Sequence, residues 1–200
     1  MLGEEAPGTE AVVLEHHEDA AVVRLNRPGE RNPLSISTIE ALHEIFSALA
    51  ARSGVNRIIF TGAGDVFASG ANIREVASLS PELALKFALR GQELMRKISN
   101  SSALTIAAVN GYCMGGGLDL ALSCRLRFAS TKAVFAHPGA RLGIITGWGG
   151  TQRLPRLIGA ARALELFTTA RRMESREALE VGLVDRICDP VLECALSSAL

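Results

Sequence analysis

The sequence predicts a single α/β domain built on a largely parallel sheet. Short segments rich in β-branched residues alternate with segments of helical periodicity, and turn residues such as Asn, Pro and Gly separate them. Strands that alternate with helices form βαβ units, in which the strands run parallel. The 200 residues contain no tandem repeat or low-complexity linker, and 48% of them are hydrophobic. A folded domain of this length should bury roughly 70% of its unfolded surface. The balance of 48% hydrophobic and 21% charged residues excludes intrinsic disorder.

The first elements follow a polar leader. We expect residues 1–10 to be flexible and residues 11–200 to form the single core domain. Ala20–Leu25 (AAVVRL) predicts a strand, which the Asn-Arg-Pro-Gly turn after it ends. Ser37 and Glu40 have the spacing of a capping box and predict the start of a helix. Helical spacing then places four apolar residues on one face of that helix, namely Ile39, Leu42, Phe46 and Leu49.

A second strand and a long helix come next. Residues 56–61 (NRIIFT) are rich in strand-forming types and lead into the loop 62–65. Ser80, Pro81 and Glu82 provide an N-cap, a proline in the first helical position and an acid in the first turn, so a helix should run to about residue 99. Its inner stripe should be Ala84, Phe87, Ala88, Leu94, Met95 and Ile98.

The second half of the chain repeats the alternation of strand and helix. It predicts a buried strand at Leu104–Val109, a helix at 118–123 opened by three glycines, a strand at 125–129 and a short strand at 134–135. From Thr151 onward the pattern is helical, with turns near Gly159 and Gly182.

Composition excludes several classes of protein. Lys+Arg 21 balance Asp+Glu 21, and the chain has 7 Phe, 1 Trp and 1 Tyr, so neither a basic patch nor a base-stacking surface is expected, and hence no nucleic acid. No apolar run is long enough to span a bilayer, so no membrane partner is expected. The N-terminus lacks the features of a secretory signal, and the four cysteines show no CxxC spacing. We expect a cytoplasmic protein with reduced thiols and, since no His/Cys/Asp/Glu ligands cluster, no metal.

Two segments combine a strand end, glycines and a helix start. The first is 60–75 and the second is 109–119. Small residues let a ligand approach the main chain, and a helix N-terminus directs unpaired N–H groups towards it. Two such segments facing each other would bind an oxygen that becomes negative during a reaction, which is an oxyanion hole. Either cluster taken singly is equally typical of close packing.

Four motifs together resemble the enoyl-CoA hydratase/isomerase (crotonase) family. FASGANIRE at 67–75 is similar to the family's F-x-x-G-A-D-x-x-E, and VNGYCMGGGLDLALSC at 109–124 is similar to V-x-G-x-x-x-G-G-G-x-E-L-A-x-x-C. GWGGTQRLPRLIG at 147–159 and RLNRPGERNPLS at 24–35 also fit. The resemblance extends from about residue 12 to about residue 190.

This resemblance implies a fold, a ligand and an assembly. The fold is a crotonase-like spiral of ββα units, and the usual C-terminal helical trimerisation region is expected to be shortened or missing. The ligand is an acyl-CoA thioester, with coenzyme A as part of the substrate and no separate cofactor. The assembly is a homo-oligomer, a trimer or a dimer of trimers.

The resemblance also implies binding roles for individual residues. The main-chain N–H groups of Ala71 and Gly116 would be the two oxyanion donors. The CoA side would be lined by the segment Ala71, Asn72, Ile73 and Arg74, together with Gly115 and Gly116. Arg24, Arg27 and Arg31 are candidates for the CoA phosphates, and each is equally typical of a solvated surface arginine.

The catalytic positions depart from the family pattern. Family hydratases use two glutamates, and the ungapped alignment of the motifs puts Asp119 at the first position and Gly139 at the second. Gly147 likewise offers no carboxylate where dienoyl-CoA isomerases have one. The two-acid hydration mechanism is therefore not intact, and isomerisation or other enolate chemistry, with Asp119 as the proton carrier, stays open.

His137 is a candidate substitute for the missing glutamate, because its near-neutral pKa suits acid–base work. It precedes Pro138, so its backbone should be extended, and in a strand residues 137 and 139 would point the same way. The alternative is a histidine that is hydrogen-bonded at a strand end. Two further functions stay open, namely a thioester hydrolase that uses Ser69, Asp119 and His137, and a CoA-binding protein without catalysis.

Overall fold

The computed structural model describes residues 10–50 and 52–198, so the leader predicted at 1–10 lies almost wholly outside the described residues. The strands are β1 (Val12–His16), β2 (Ala20–Leu25), β3 (Pro33–Leu34), β4 (Arg57–Gly62), β5 (Val66–Ala68), β6 (Gly70–Ala71), β7 (Leu104–Val109), β8 (Tyr112–Met114), β9 (Leu126–Ala129), β10 (Val134–Ala136), β11 (Met173–Glu174) and β12 (Arg186–Ile187). The α-helices are α1 (Ile36–Ala50), α2 (Ile73–Ser78), α3 (Pro81–Ser99), α4 (Gly116–Ser123), α5 (Gly150–Ile158), α6 (Ala160–Thr169), α7 (Ser175–Glu180) and α8 (Val191–Leu196).

The largest sheet has six strands in the order β1-β2-β4-β7-β9-β12. All neighbouring pairs in it are parallel except β1 and β2, which form an antiparallel hairpin. The predicted parallel sheet is therefore correct for four of its strands, while β1 and the two-residue β12 are additional. A strand of two residues such as β12 leaves no periodicity in the sequence, whereas β1 has five residues and lies before the first strand that the sequence predicts.

Two smaller sheets bring the glycine-rich segments together. One has the order β11-β10-β8-β5, and the other pairs β3 with β6. Strand β8 lies between β5 and β10 and is parallel to both. It leads through Gly115 directly into α4, so the start of α4 lies next to the strand ends of the first glycine-rich segment.

Helix α1 packs its predicted face into the core, where Ile39, Leu42, Phe46 and Leu49 are all buried. The predicted N-cap is wrong by two residues. Ser35, rather than Ser37, accepts the cap hydrogen bond, from the N–H of Thr38 at 3.1 Å. Ser37 lies inside the helix because the turn at 33–35 is already fixed by the pairing of β3 with β6.

Helix α3 begins after Ser80 as predicted, and Ser80 Oγ accepts the N–H of Leu83 at 3.3 Å. Leu94, Met95 and Ile98 in its second half are fully buried, whereas Ala84 in its first half is exposed. The first half faces a cavity instead of the core. Among the described residues, no helix has both the length and the apolar character needed to cross a membrane.

Candidate active site

A cavity of about 280 Å³ lies where the two glycine-rich segments meet. Residues 69–71 and 115–116 form one wall, and the first half of α3 forms a second. The third wall consists of residues 137–140, 142 and 144–148. Apolar side chains dominate this lining, and among the described residues that form it His137 has the one titratable side chain. The arrangement is typical of a ligand site with few, defined polar groups.

The main-chain nitrogens of Ala71 and Gly116 lie on the same rim of this cavity. A Cβ built on Gly116 would lie 3.4 Å from the nitrogen of Ala71, and one built on Gly70 would lie 3.1 Å from the nitrogen of Gly116. The N–H of Gly116 is the first of α4, and it donates to no backbone acceptor in the described part of the chain. The two predicted donor segments therefore converge on one space.

Side-chain hydrogen bonds hold the two segments in place. Asn110 Nδ2 donates to the carbonyl of Gly64 at 2.9 Å, and Asn110 Oδ1 accepts the N–H of Gly62 at 3.1 Å, which joins the end of β7 to the loop after β4. Asn72 caps α2 by accepting the N–H of Arg74 at 3.1 Å. Neither role requires a ligand, so both asparagines stabilise the site before anything binds.

The predicted binding residues separate into two groups. Ala71, Ile73, Gly115 and Gly116 line the cavity, whereas Asn72, Arg74 and Arg27 do not. Arg24 is occupied by Glu15, with Nε 2.6 Å from the carboxylate. The assignment of these residues to coenzyme A remains a prediction.

Asp119 is fully buried behind the cavity wall and does not line it. Thr146 Oγ1 donates a hydrogen bond to its Oδ2. Burial raises the pKa of Asp119 to about 6, against the opposing effects of that hydrogen bond and of the main-chain amides of Trp148 and Gly150. The carboxyl group is therefore mostly ionised at neutral pH and titrates just below it.

His137 lies between Asp119 and the cavity. Its Nε2 is 3.7 Å from Asp119 Oδ1, and both atoms are buried without a hydrogen-bond partner among the described residues. The imidazole is 3% exposed and packs against the Phe167 ring, with the centroids 4.8 Å apart. Burial lowers the pKa of His137 to about 4. At neutral pH the pair is thus a neutral imidazole in front of a carboxylate.

His137 lines the cavity, but the prediction that it does so as part of a strand is wrong. Strand β10 ends at Ala136, and Pro138–Leu142 form a 3₁₀ helix, so residues 137 and 139 do not follow strand alternation. A Cβ on Gly139 would lie 2.5 Å from the carbonyl oxygen of Ile144, whose N–H donates to the Gly139 carbonyl at 3.0 Å. A side chain at the second glutamate position would therefore require the main chain of this turn to shift.

This close approach predicts a difference between two glycines that flank the same loop. Gly139→Ala should lower the free energy of unfolding by about 1–3 kcal/mol, because the Ile144 carbonyl belongs to the main chain and cannot rotate away. Gly147→Ala should change it by less than about 0.5 kcal/mol, because no atom lies within 4 Å of a Cβ there. Urea unfolding of both variants is the measurement. Equal stability of the two variants contradicts this account of the turn.

Ser69 also lines the cavity, but it makes no hydrogen bond to His137 in the described residues. Of the predicted triad, the described residues therefore contain only the contact between Asp119 and His137. Within residues 10–50 and 52–198, no group of three or more His, Cys, Asp or Glu side chains could hold a metal ion.

Sequence reasoning missed Trp148, Phe87 and Thr146 as site residues. Trp148 and Phe87 line the cavity with their rings 5.2 Å apart, and Thr146 binds Asp119. The available signal was the motif at 147–150, in which a large aromatic residue stands among glycines that otherwise favour close approach.

Comparison with known proteins identifies the family. The sequence pattern described as Enoyl-CoA hydratase/isomerase matches residues 15–198. The chain is 39% identical over 180 residues to the "Short-chain-enoyl-CoA hydratase" of Clostridium acetobutylicum, covering 90% of this chain and 69% of that protein. It is 40% identical over 182 residues to the "Crotonyl-CoA hydratase" of Syntrophomonas wolfei, covering 90% and 70%.

A solved structure of an enoyl-CoA hydratase from Bacillus anthracis superimposes with a TM-score of 0.89 at 34% identity, covering 94% of this chain and 74% of that one. The chain belongs to the enoyl-CoA hydratase/isomerase family. Its predicted fold, an α/β crotonase-like architecture, is confirmed by this superposition.

Proposed function

We propose that the protein binds an acyl-CoA thioester and polarises its carbonyl between the N–H groups of Ala71 and Gly116. The observation that supports this most directly is the convergence of these two amides, from β6 and the start of α4, on the rim of one apolar cavity. Hydrogen-bond donors fixed in advance stabilise an oxygen that becomes negative, because they need no reorganisation when the charge forms. An enolate of the thioester is such a species.

The Asp119–His137 pair is the proton carrier that this chemistry requires. The neutral imidazole lies on the cavity wall and can take a proton from the acyl C2, since Asp119 behind it stabilises the imidazolium that results. The C2–H electron pair then moves into the thioester, and the carbonyl oxygen becomes the enolate. A proton from the pair is then added to C4 of a 3-enoyl thioester, which gives the 2-enoyl isomer with no other reactant. Since the pair exchanges protons with the solvent, the proton added at C4 can come from water.

The need for only one proton-carrying pair favours isomerisation over hydration. Adding water across a double bond needs one group to orient the water and another to deliver a proton, and family hydratases use two glutamates for this. In this chain the second position is Gly139, which supplies no acid, and the main chain of Ile144 lies against the position that a Cβ would take. One proton-carrying pair is sufficient for a 1,3-shift, which never uses a second acid. Because the relatives named above are hydratases, hydration of crotonyl-CoA is the reaction to measure beside isomerisation.

The test uses 3-butenoyl-CoA in deuterated water. We expect conversion to crotonyl-CoA together with deuterium at C2 or C4, followed by absorbance and mass spectrometry, and slower hydration of crotonyl-CoA under the same conditions. Faster hydration than isomerisation contradicts the proposed reaction. Binding of the ester with neither conversion nor deuterium exchange identifies a CoA-binding protein without catalysis. Release of free thiol that Ser69→Ala abolishes identifies a hydrolase.

A further inference from the structure

The indole of Trp148 fills a slot between α3 and the start of α4. It is 4% exposed, and its small exposed part faces the cavity. No other residue of the 137–148 segment that lines this cavity reaches α3 with an aromatic ring. The side chain therefore joins two walls of the cavity that are distant in sequence.

Glycines on both sides make this slot. A Cβ on Gly91 of α3 would overlap the pyrrole half of the indole, at Nε1 and Cδ1. A Cβ on Gly116 would lie 2.5 Å from Cζ3 and 2.7 Å from Cε3, in the benzene half. The ring thus rests directly on the backbone of both residues, and one of them supplies a proposed oxyanion donor.

Contacts around the indole fix its position. The Phe87 ring meets it edge-on, with centroids 5.2 Å apart and an interplanar angle of 63°. Arg153 Nη1 donates to the Trp148 carbonyl at 3.1 Å, and Gln92 Nε2 donates to the Gly147 carbonyl at 2.8 Å. Since both the ring and its main chain are held, the indole is a rigid part of the cavity wall.

The slot that Trp148 fills continues the face of α3 that lines the cavity. Ala84, Ala88 and Gly91 follow one another at spacings of four and three, so they lie on one face of the helix. Ala84 and Ala88 line the cavity, and the next position on that face, Gly91, is covered by Trp148. Phe87 lies on the same face and also lines the cavity, so the cavity along α3 ends at the paired rings of Phe87 and Trp148.

We propose that Trp148 is a specificity-determining residue, which ends the acyl cavity and restricts the protein to short-chain acyl-CoA thioesters. This rests on the proposed function only in taking an acyl-CoA as the ligand. An acyl chain with its carbonyl at Ala71 and Gly116 starts beside the indole, and in the direction of Gly91 it runs directly into the ring. Extra methylenes then meet Trp148, since the slot at Gly91 that would accommodate them is filled.

The experiment measures binding of saturated acyl-CoAs, which need no turnover. Dissociation constants for butyryl-, octanoyl- and dodecanoyl-CoA are compared for the wild type, Trp148→Ala and Trp148→Phe by titration calorimetry. We expect wild-type protein to favour butyryl-CoA. Trp148→Ala should raise the affinity ratio of octanoyl- to butyryl-CoA by at least about tenfold, because a single methylene in an apolar pocket already accounts for about 10–200-fold.

Trp148→Phe keeps an aromatic ring in the slot and serves if the alanine variant fails to fold; it should move the ratio in the same direction by less. Leu89→Ala is the control, since Leu89 is an apolar residue of α3 that is 54% exposed and does not line the cavity. An unchanged ratio in both Trp148 variants, or a wild type that prefers octanoyl-CoA, overturns the proposal.

Deuterium exchange on 3-butenoyl-CoA, run in parallel, separates this inference from the proposed function. A shifted binding ratio without exchange supports the role of Trp148 and removes the proposed chemistry. Deuterium exchange with an unshifted binding ratio supports the proposed chemistry and removes the role of Trp148. Absence of any acyl-CoA binding by the wild type overturns both.

Discussion

His137→Gln should slow isomerisation and deuterium exchange by about 10²–10⁴-fold, the usual contribution of a positioned acid–base group. Glutamine is polar and similar in reach, but it cannot take up a proton from C2. Binding of butyryl-CoA should change little, since His137 is only 3% exposed and presents little surface to a ligand. The measurement is kcat for 3-butenoyl-CoA beside the dissociation constant for butyryl-CoA.

His43→Gln is the matched control for this substitution. His43 is also a buried histidine, and its Nε2 bonds to the carbonyl of Arg90 at 2.9 Å, away from the cavity lining. Its replacement should leave kcat unchanged even if it lowers stability. Equal loss of kcat in both variants means that the effect comes from disturbed packing, and His137 is then not the proton carrier.

The pH profile distinguishes Asp119 from a purely structural acid. Because burial places the pKa of Asp119 at about 6, its carboxylate forms as the pH rises through that value. The wild-type rate should therefore climb through about pH 6 and then level off. Asp119→Asn should show a lower rate without this rise, since the amide that replaces the carboxylate cannot stabilise the imidazolium.

Folding stability provides an independent check with a defined sign. The pKa of Asp119 is raised from 3.8 to about 6, so between these values the folded state holds this proton more tightly than the unfolded state does. The free energy of unfolding therefore falls by about 3 kcal/mol as the pH rises through that window. His137, lowered from 6.5 to about 4, has the opposite effect over nearly the same window. The wild type should thus show a shallow dependence, whereas Asp119→Asn should gain stability from pH 4 to 6.5.

Much of the fold was predictable because its long elements have strong local signals. Ala20–Leu25 and Leu104–Val109 are predominantly apolar, and α3 has both a serine cap and a proline at its start. The N-cap of α1 was misplaced because a tertiary contact, the pairing of β3 with β6, determines where that helix begins. The two-residue strands are defined only by their partners.

The site was predictable to the extent that main-chain geometry depends on glycine. Residues 70–71 and 115–116 could be found because close approach to the backbone demands small residues there. The contact between Asp119 and His137 could not be predicted, since it depends on how the segment from Ala136 to Gly150 folds back over α4. The slot for Trp148 likewise joins Gly91 to Gly116, which no local pattern connects.

The oxyanion assignment predicts a large effect for Gly116→Ala. The added Cβ would lie 2.5 Å from Trp148 Cζ3, so either the amide or the indole must move. Loss of one oxyanion donor lowers kcat by about 10²–10³-fold, and we expect a decrease of that size. Gly29→Ala is the control, because no atom lies within 4 Å of a Cβ at Gly29. Retention of full activity in Gly116→Ala contradicts the assignment of this amide.

A double-mutant cycle with Trp148→Leu shows how the effect arises. Leucine is too short to occupy the position of Cζ3, so the alanine methyl group fits and the amide can stay in place. Gly116→Ala should then lower kcat much less in the Trp148→Leu background than in the wild type, with a coupling of at least about 1 kcal/mol, as for residues in direct contact. Identical losses in the two backgrounds would mean that Gly116 is displaced by something other than the indole. The four-carbon 3-butenoyl-CoA is short enough to suit both backgrounds, so the cycle measures the position of the amide independently of chain length.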